Sequence, residues 1–451
     1  MTKQPLELNA DFQYALDVLE KTNKNLFITG RAGTGKSTLL HLFRSTSRKK
    51  CVVLAPTGVA ALNAGGQTIH SFFGFPAKFI APEEINRRRD TRLYKKMEVL
   101  IIDEISMVRA DMIDNIDRFL RINRDNMLPF GGVQVVFFGD LFQLPPVVST
   151  PQEQHFFQTH YESQFFFSAK VFTEQPINKN NLDEKGFELE GLELGKIYRQ
   201  ENRHFIRLLD AVRTNQVDYD DLDDLNRRFQ PNFNEKDYFI TLSPRNAVVD
   251  EINNRELRSL NQQEFSFIAE VSGAFDPKQY PTEGVLKLKL GAQVMFIKND
   301  IKREYVNGTI GKIIQLDFDK IVVQTEEKDG SFKDIVVEKQ EWEILRYSLG
   351  NDPSKIETET IGSFKQYPLR LAWAMTIHKS QGKTFDKVII DLTGGAFEHG
   401  QTYVALSRCR TLEGIVLKQP IRPQDFRVDE RIVDFLWAKF LNFKRSLKSN
   451  A

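Results

Sequence analysis

Nine residues, Gly30-Arg31-Ala32-Gly33-Thr34-Gly35-Lys36-Ser37-Thr38, carry the spacing G-x-x-x-x-G-K-[ST]. That spacing wraps backbone N–H groups around a chain of phosphates, adds a lysine for the β- and γ-phosphates and sets a hydroxyl on Mg²⁺. Lys36 is therefore the candidate phosphate cation and Ser37 a candidate metal ligand. Gly30, Ala32, Gly33, Thr34, Gly35 and Thr38 complete the cradle for a nucleotide such as ATP. The flanks agree, because Asn25–Thr29 reads as a strand and Thr38–Phe43 as the start of a helix, whose N-terminus adds partial positive charge. A glycine-rich turn that binds nothing is the competing reading, and the strand–loop–helix context weighs against it.

Two further segments supply chemistry to match. Leu100-Ile101-Ile102-Asp103-Glu104 is an apolar strand ending in two carboxylates, about seventy residues after the loop. A buried parallel strand delivers its last residues to the sheet edge where ligands lie. There Asp103 can hold Mg²⁺ through water beside Ser37, and Glu104 can orient or deprotonate an attacking water. The run Val135–Phe138 ends in Gly139-Asp140-Leu141-Phe142-Gln143-Leu144-Pro145-Pro146-Val147. Gln143 is placed to sense the γ-phosphate or its water, and the paired prolines fix the loop that follows. Taken alone, that segment has a competing reading as a proline-rich loop with a polar tip.

These residues need a scaffold, and the composition bounds it. The chain has 451 residues, 41% of them hydrophobic, enough for roughly two to four packed domains and no case for global disorder. Two cysteines, Cys51 and Cys409, make no disulfide framework and suit a reducing compartment. Met1-Thr2-Lys3-Gln4-Pro5 has no apolar signal region, and no apolar run reaches membrane-spanning length, so a soluble, cytoplasmic protein without membrane contact is expected. Net charge is +1 and the isoelectric point about 7.7, which argues against a positively coated surface but not against nucleic acid in a narrow groove. Between Gly65 and Lys96 lie Lys78, Arg87, Arg88, Arg89, Arg92, Lys95 and Lys96 against three acids; a solvated face is preferred there to a phosphate track. The acidic run from Asp218 to Asp224 gets the same reading.

Along the chain, Leu26–Ile28, Val52–Ala55, Val99–Ile102 and Val133–Phe138 alternate with helical patterns, the mark of a parallel α/β sheet. A second such series holds Tyr238–Leu242, the helix Ala247–Leu260 and Val388–Leu392. Only the first has a phosphate loop, which suggests a duplicated nucleotide-binding core in which one copy binds and the other closes over it. Between the halves of the second series, Gly311–Leu316, Ile321–Thr325 and Ile335–Glu338 read as strands, with turns at Asn307-Gly308 and Asp329-Gly330. This reads as a small β-barrel inserted into an α/β domain. The Phe-rich stretch from Phe156 to Phe172 reads as core.

In this order, the segments resemble the superfamily-one, B-type DNA helicases, and within them the PIF (petite integration frequency) family. Ala55–Asn63 through Gly65–Phe73 looks like the block after the phosphate loop, Asp103–Val108 like the second motif and Gly139–Val147 like the third. Ile197-Tyr198-Arg199-Gln200 looks like the fourth, Ala374–Gly382 the fifth and Tyr403–Arg410 the sixth. The resemblance implies two RecA-like parallel-sheet domains of α/β class, with a small wedge insertion and an SH3-like β-barrel. Its bounds would be 1–190 for the first domain (wedge about 66–95), 191–296 and 366–451 for the second, and 297–365 for the barrel. It implies adenine reading by Gln13, nucleotide contacts from Gln381 and Gly382, and two arginines, Arg199 and Arg408, aimed at the γ-phosphate across the cleft. A fixed guanidinium charge suits a phosphoryl-transfer transition state. It also implies single-strand contacts from Thr57, Gly58, His70, Ser71, Phe72, Pro146, Val147, Arg245, Asn246, Thr376, His378, Lys379 and Ser380. Hydroxyl, imidazole and amide donors suit backbone contacts, and Phe72 or a neighbour could stack on a base. Local capping or packing competes for each of these.

The expectation is an ATP- and Mg²⁺-dependent motor that moves 5′ to 3′ on single-stranded DNA and opens tailed or forked duplex, acting as a monomer in the cytoplasm, at the nucleoid if bacterial. G-quadruplex DNA and RNA–DNA hybrids are further expected substrates. A DNA-stimulated ATPase that remodels protein–DNA complexes without unwinding is the alternative. A small-molecule kinase is disfavoured by the second core domain, and a GTPase by the lack of an Asn-Lys-x-Asp segment.

Overall fold

The computed structural model describes residues 8–76, 78–148, 150–173, 187–233, 237–300, 302–327, 329–349 and 355–440. The reading of Met1–Pro5 lies outside them. The first domain is built on β1 (Asn25–Gly30), β2 (Cys51–Ala55), β3 (Gln67–Thr68), β4 (Val99–Ile102), β5 (Gln134–Phe138) and β6 (Leu189–Leu194). They lie in the order β3-β2-β4-β5-β1-β6 with every pairing parallel. The central strands are Val, Ile, Leu and Phe runs buried on both faces, as a helix-covered parallel sheet requires. This order sets the loop after β1 beside the ends of β4 and β5. The strand β6, whose sequence LEGLEL breaks the apolar run, is set by its six-residue register with β1.

The Phe-rich stretch is core: Phe166 packs on Phe27 and Phe137 with ring centroids 5.4 and 5.3 Å apart. In the expected wedge, Phe73 and Tyr94 pack on Phe119 at 5.0 and 4.9 Å. The basic run there is largely paired. Arg87 and Lys95 share Asp125, Arg92 meets Asp90 at 2.7 Å and Lys78 meets Glu84 at 3.3 Å. Exposed pairs of this kind make a solvated face.

The second domain begins with β7 (Ile240–Ser243) and the helix Asn246–Ser259. An antiparallel region follows: β8 (Glu264–Ile268), β9 (Glu270–Gly273), β10 (Val285–Lys289), β11 (Gln293–Phe296), β12 (Ile310–Leu316), β13 (Ile321–Glu326), β14 (Phe332–Val337), β15 (Gln340–Ser348), β16 (Glu357–Gln366) and β17 (Leu369–Leu371). The expected inserted barrel takes the form of three sheets, β14-β13-β12-β11-β17, β15-β16-β9 and β10-β8; among the described residues none closes on itself. Then β18 (Ala374–Thr376), β19 (Val388–Ile390) and β20 (Ile415–Leu417) complete a parallel sheet in the order β18-β7-β19-β20. Among the described residues no helix is long and apolar enough to cross a membrane.

The antiparallel region docks on the first domain for a specific reason. The two-residue β3 pairs only with Leu54 and Ala55, leaving that edge of β2 short of partners. The Tyr347 hydroxyl on β15 accepts from Val53 N at 3.0 Å, and Gln67 Oε1 accepts from Tyr347 N at 3.4 Å. Phe72 meets the Tyr347 ring at 5.9 Å. Replacing Tyr347→Phe strands a buried N–H, a loss of about 1–2 kcal/mol. Native-state hydrogen exchange at Val53 and along β15 is expected to speed up roughly tenfold; unchanged exchange would show the dock does not depend on this bond.

Candidate active site

The loop after β1 turns on glycines with positive φ, Gly33 at +85° and Gly35 at +87°. At Gly33 the need is also steric, since a Cβ there would lie 2.4 Å from the Arg199 Cβ. The segment Ile197–Gln200 is thus pressed onto the loop, and Tyr198 N donates to Gly33 O at 2.8 Å. The helix Lys36–Thr46 starts at the loop's end. Lys36 Nζ donates to Gly30 O at 2.6 Å and Arg31 O at 3.1 Å. Burial lowers its pKa, against the pull of Asp140 and Glu104. The ammonium is held by weak carbonyl partners that a phosphate would replace.

Asp103 and Glu104 follow β4 at the same edge. Glu104 has φ of +51°, a left-handed conformation that a non-glycine residue rarely adopts and that concentrates at functional sites. Its N–H donates to Asp103 Oδ1 at 2.9 Å. Burial raises the pKa of both carboxyls; Glu104 adds to the rise at Asp103, while Lys36 and Arg408 hold Glu104 back.

Lys36 and Glu104 face a cavity of about 710 Å³ between the two domains. Lys36, Ser37, Thr38, Glu104 and Gln143 line it from the first domain, and Gly382, Thr384, Arg408 and Arg410 from the second, with Arg199 on the connecting segment. Arg408 is 1% exposed. Its guanidinium donates to Val404 O at 3.0 Å, Lys383 O at 3.4 Å, Ser380 O at 3.5 Å and Ser407 Oγ at 2.8 Å. Arg199 Nη1 donates to Ser407 O at 3.2 Å. Burial and the neighbouring Arg408 push the Arg199 pKa down to about 9, and burial lowers that of Arg408. Neither arginine forms an ion pair among the described residues. Two buried cations facing a lysine and a phosphate loop demand an anion.

Residues outside the expected set tie the halves together. Ala32 N, in the loop, donates to the Tyr403 hydroxyl of the second domain at 3.0 Å, and that hydroxyl donates to Asp140 Oδ2 at 3.3 Å. Asp140 also accepts from Gln143 Nε2 at 3.3 Å and from Arg213 at 3.1 Å. Burial opposes its ionisation, but the Arg213 and Lys36 charges outweigh it and hold the carboxyl below the usual range. Gln143 Oε1 in turn accepts from Gln381 Nε2 of the second domain at 3.3 Å. Arg31 pairs with Asp210 at 2.7 Å. Asp140 and Tyr403 belonged to recognisable blocks, whereas Arg213 follows an ordinary helical pattern and left no local signal.

The other expected contacts are spread between surface and interior. Gln13 is exposed on the helix Ala10–Lys21, where its side chain meets Asp17; its neighbour Phe12, with Lys196 and Tyr198, lines the cavity instead. Thr57, Ser71, Val147, Arg245, Asn246 and Lys379 are exposed; Gly58 and His70 are half-buried and Pro146 buried. Gly58 has Gln279 of the antiparallel region against it, 3.2 Å from where a Cβ would stand. Phe72 is 6% exposed, its ring edge-on to Phe73, Tyr94 and Tyr347, so it offers no face to a base in this arrangement. Thr376 and Ser380 are buried; Thr376 Oγ1 accepts from Lys379 N at 3.3 Å and Ser380 Oγ donates to Ile377 O at 2.7 Å. Both hydroxyls take part in the local turn, and the Thr376 O–H is left to donate. His378 Nε2 meets Glu398 at 3.2 Å.

Two RecA-like sheets sharing one phosphate cleft, with Arg408 of the second half and Arg199 of the connecting segment beside the loop of the first, define a nucleotide-driven motor. The family described as PIF1-like helicase matches residues 9–221, and the domain described as DNA helicase Pif1, 2B domain, matches 278–316. The chain is 33% identical to the ATP-dependent DNA helicase Pif1 of Bdellovibrio bacteriovorus, covering 96% of this chain and 93% of that protein. It is 34% identical to human ATP-dependent DNA helicase PIF1, covering 91% of this chain and 61% of that protein. Among solved structures, Bacteroides sp Pif1 in complex with ADP-AlF4 matches at 39% identity and a TM-score of 0.84 over 98% of both chains. Bacteroides Pif1 bound to ssDNA matches at 41% identity and a TM-score of 0.66 over 96% of both. The chain belongs to the PIF1-like helicase family and is an ATP-driven DNA helicase.

Tyr403→Phe removes the hydroxyl that joins the loop to Asp140. ATP turnover is expected to fall about tenfold, the worth of one buried hydrogen bond, with ADP affinity nearly kept. Unchanged turnover in steady-state assays would show that the bridge is incidental to hydrolysis.

Proposed function

We propose that this helicase translocates 5′ to 3′ on single-stranded DNA and opens tailed or forked duplex, as a monomer in the cytoplasm and at the nucleoid in a bacterial cell. The observation that supports a stepping cycle is the cleft itself: Arg408 lines it from the second domain opposite Lys36, with Arg199 on the connecting segment beside them. Nucleotide draws the domains together, hydrolysis and product release let them part, and alternating grip on the strand makes the motion directional. The polarity, and the opening of G-quadruplex DNA or RNA–DNA hybrids, rest on the family likeness.

Ser37 and Asp103 suit a hard divalent cation, because a hydroxyl and a carboxylate are oxygen ligands of the kind Mg²⁺ shares with phosphates and water. Bound there, Mg²⁺ would neutralise charge on the β- and γ-phosphates. Glu104 holds the water or takes its proton, Gln143 reports the γ-phosphate to the loop ending at Pro146, and Arg199 and Arg408 stabilise the dispersed charge of the transferring group. The strand track runs over the exposed Thr57, Ser71, Lys379, Arg245 and Asn246. Gln279 covers Gly58 there, so we propose that the antiparallel region leaves its dock at Tyr347 when the strand binds.

Steady-state hydrolysis with and without single-stranded DNA, beside unwinding of duplexes with either a 5′ or a 3′ tail, tests this reading. Stimulated hydrolysis and opening of only the 5′-tailed duplex are expected. Stimulation without opening points to a motor that displaces bound proteins, and opening from a 3′ tail would overturn the polarity. Lys36→Ala should abolish hydrolysis and unwinding while the fold, checked by circular dichroism, is kept; near-normal turnover would remove the phosphate loop from the mechanism.

A further inference from the structure

Two residues beyond Gln143, the chain enters the wall of a second cavity of about 480 Å³, also shared between the domains. Pro146, Phe157 and Phe165 supply its wall on the first domain, and Phe397, Glu398 and His399 on the second. Phe157 and Phe165 are buried, but Phe397 is 48% exposed, an aromatic ring left half in water on a loop between two domains. The nucleotide site does not use it, and no packing partner accounts for it among the ring contacts of the described residues.

The chemistry of the rim selects the occupant. Glu162, Glu398 and Asp429 line the cavity, and its one arginine, Arg431, is bound to Asp429 at 2.6 Å. This acidic surround repels phosphate. It suits a flat, uncharged ring whose edge carries N–H donors, with amides from Gln158 and Gln164 also at hand. A phosphate-bearing strand nevertheless has reason to pass the mouth. His378 is paired to Glu398, next to Phe397, and Lys379 is exposed beside it; across the mouth, Val147 is 57% exposed next to Pro146. Backbone outside and base inside is the arrangement this charge pattern allows.

We propose that this cavity receives one base of the bound single strand, stacked on Phe397 and walled by Pro146. The inference rests on the strand-translocation reading above and assigns it a base site. Both domains contribute walls, so the base is enclosed only while the domains are together. His399 fixes that geometry, with its ring between Leu141 O at 2.8 Å and Asp429 N at 3.0 Å. Gln143 and Pro146 lie on one buried loop whose prolines restrict its backbone, so the base and the γ-phosphate sensor are neighbours along a stiff tether.

The test uses the full chain and oligo-thymidine carrying a single 2-aminopurine at each position in turn, then a single abasic residue at each. On the unaltered protein, one position should show quenched 2-aminopurine emission, and an abasic residue there should weaken binding about tenfold. Phe397→Ala should lose the quenching, bind the unmodified strand about tenfold more weakly, and become indifferent to the abasic residue. Phe397→Trp, which keeps a stacking face, should restore all three and so separates stacking from misfolding. A full abasic penalty in Phe397→Ala, or no position singled out on a protein that binds the strand normally, would overturn the base site alone. Failure of the unaltered protein to bind any single strand would bring down the translocation reading and the base site with it.

Discussion

The buried Asp140–Arg213 pair is the constraint on which the rest of this molecule depends. Asp140 ends β5 and Arg213 lies on the helix Arg203–Thr214; both are almost fully buried, with Arg213 packed over the Phe142 ring at 4.5 Å. Losing one partner of such a pair leaves an uncompensated charge, at a cost of roughly 3–5 kcal/mol. Asp140 also accepts from Phe142 N, Gln143 and Tyr403, and through Tyr403 the carboxylate reaches the phosphate loop at Ala32. One carboxylate therefore connects the loop that binds phosphate, the glutamine that faces it and the second domain that must close over it. None of these can shift without disturbing the others, and that is how a local event at a phosphate becomes a movement of domains.

The cleft around this anchor is electrostatically unfinished. Lys36, Arg199 and Arg408 bring three cations into a desolvated space, held by carbonyls and a hydroxyl. Asp103 and Glu104 bring two carboxyls whose ionisation burial opposes. A nucleotide polyphosphate with a divalent cation offers the missing charges of both signs, so binding it repairs a site that folding alone leaves strained. Glu104 in a left-handed conformation belongs to the same economy of strain.

Much of this could be read along the chain because it is local. A G-x-x-x-x-G-K-[ST] loop dictates its own backbone, and all-apolar runs such as Val99–Ile102, following a phosphate loop in an alternating strand–helix series, suit a strand buried on both faces. The features that escaped are those that distant partners decide. Phe72 reads as a free aromatic, yet Tyr347, far along the chain, packs edge-on to it; the hydroxyls of Thr376 and Ser380 each take part in one local turn that spacing alone does not show. The strand β6 exists because β1 offers it an edge, not because LEGLEL prefers to be extended. Gln13 and Phe12 are adjacent in sequence, but helix phase turns only the second toward the nucleotide cavity. Arg213 carries no motif at all, and its importance appears only when Asp140 is placed beside it.

Arg408 of the second half acts on the transferring phosphate across the cleft, and transition-state mimicry exposes that role. The affinities of ADP alone and of ADP with aluminium fluoride would be measured by titration calorimetry for the unaltered protein and for Arg408→Ala. Nearly equal ADP affinity is expected for the two proteins, with the aluminium fluoride complex weakened on the order of 10³-fold in the variant. Equal loss of both affinities, or no loss of either, would contradict a role for Arg408 in the transferring group's charge.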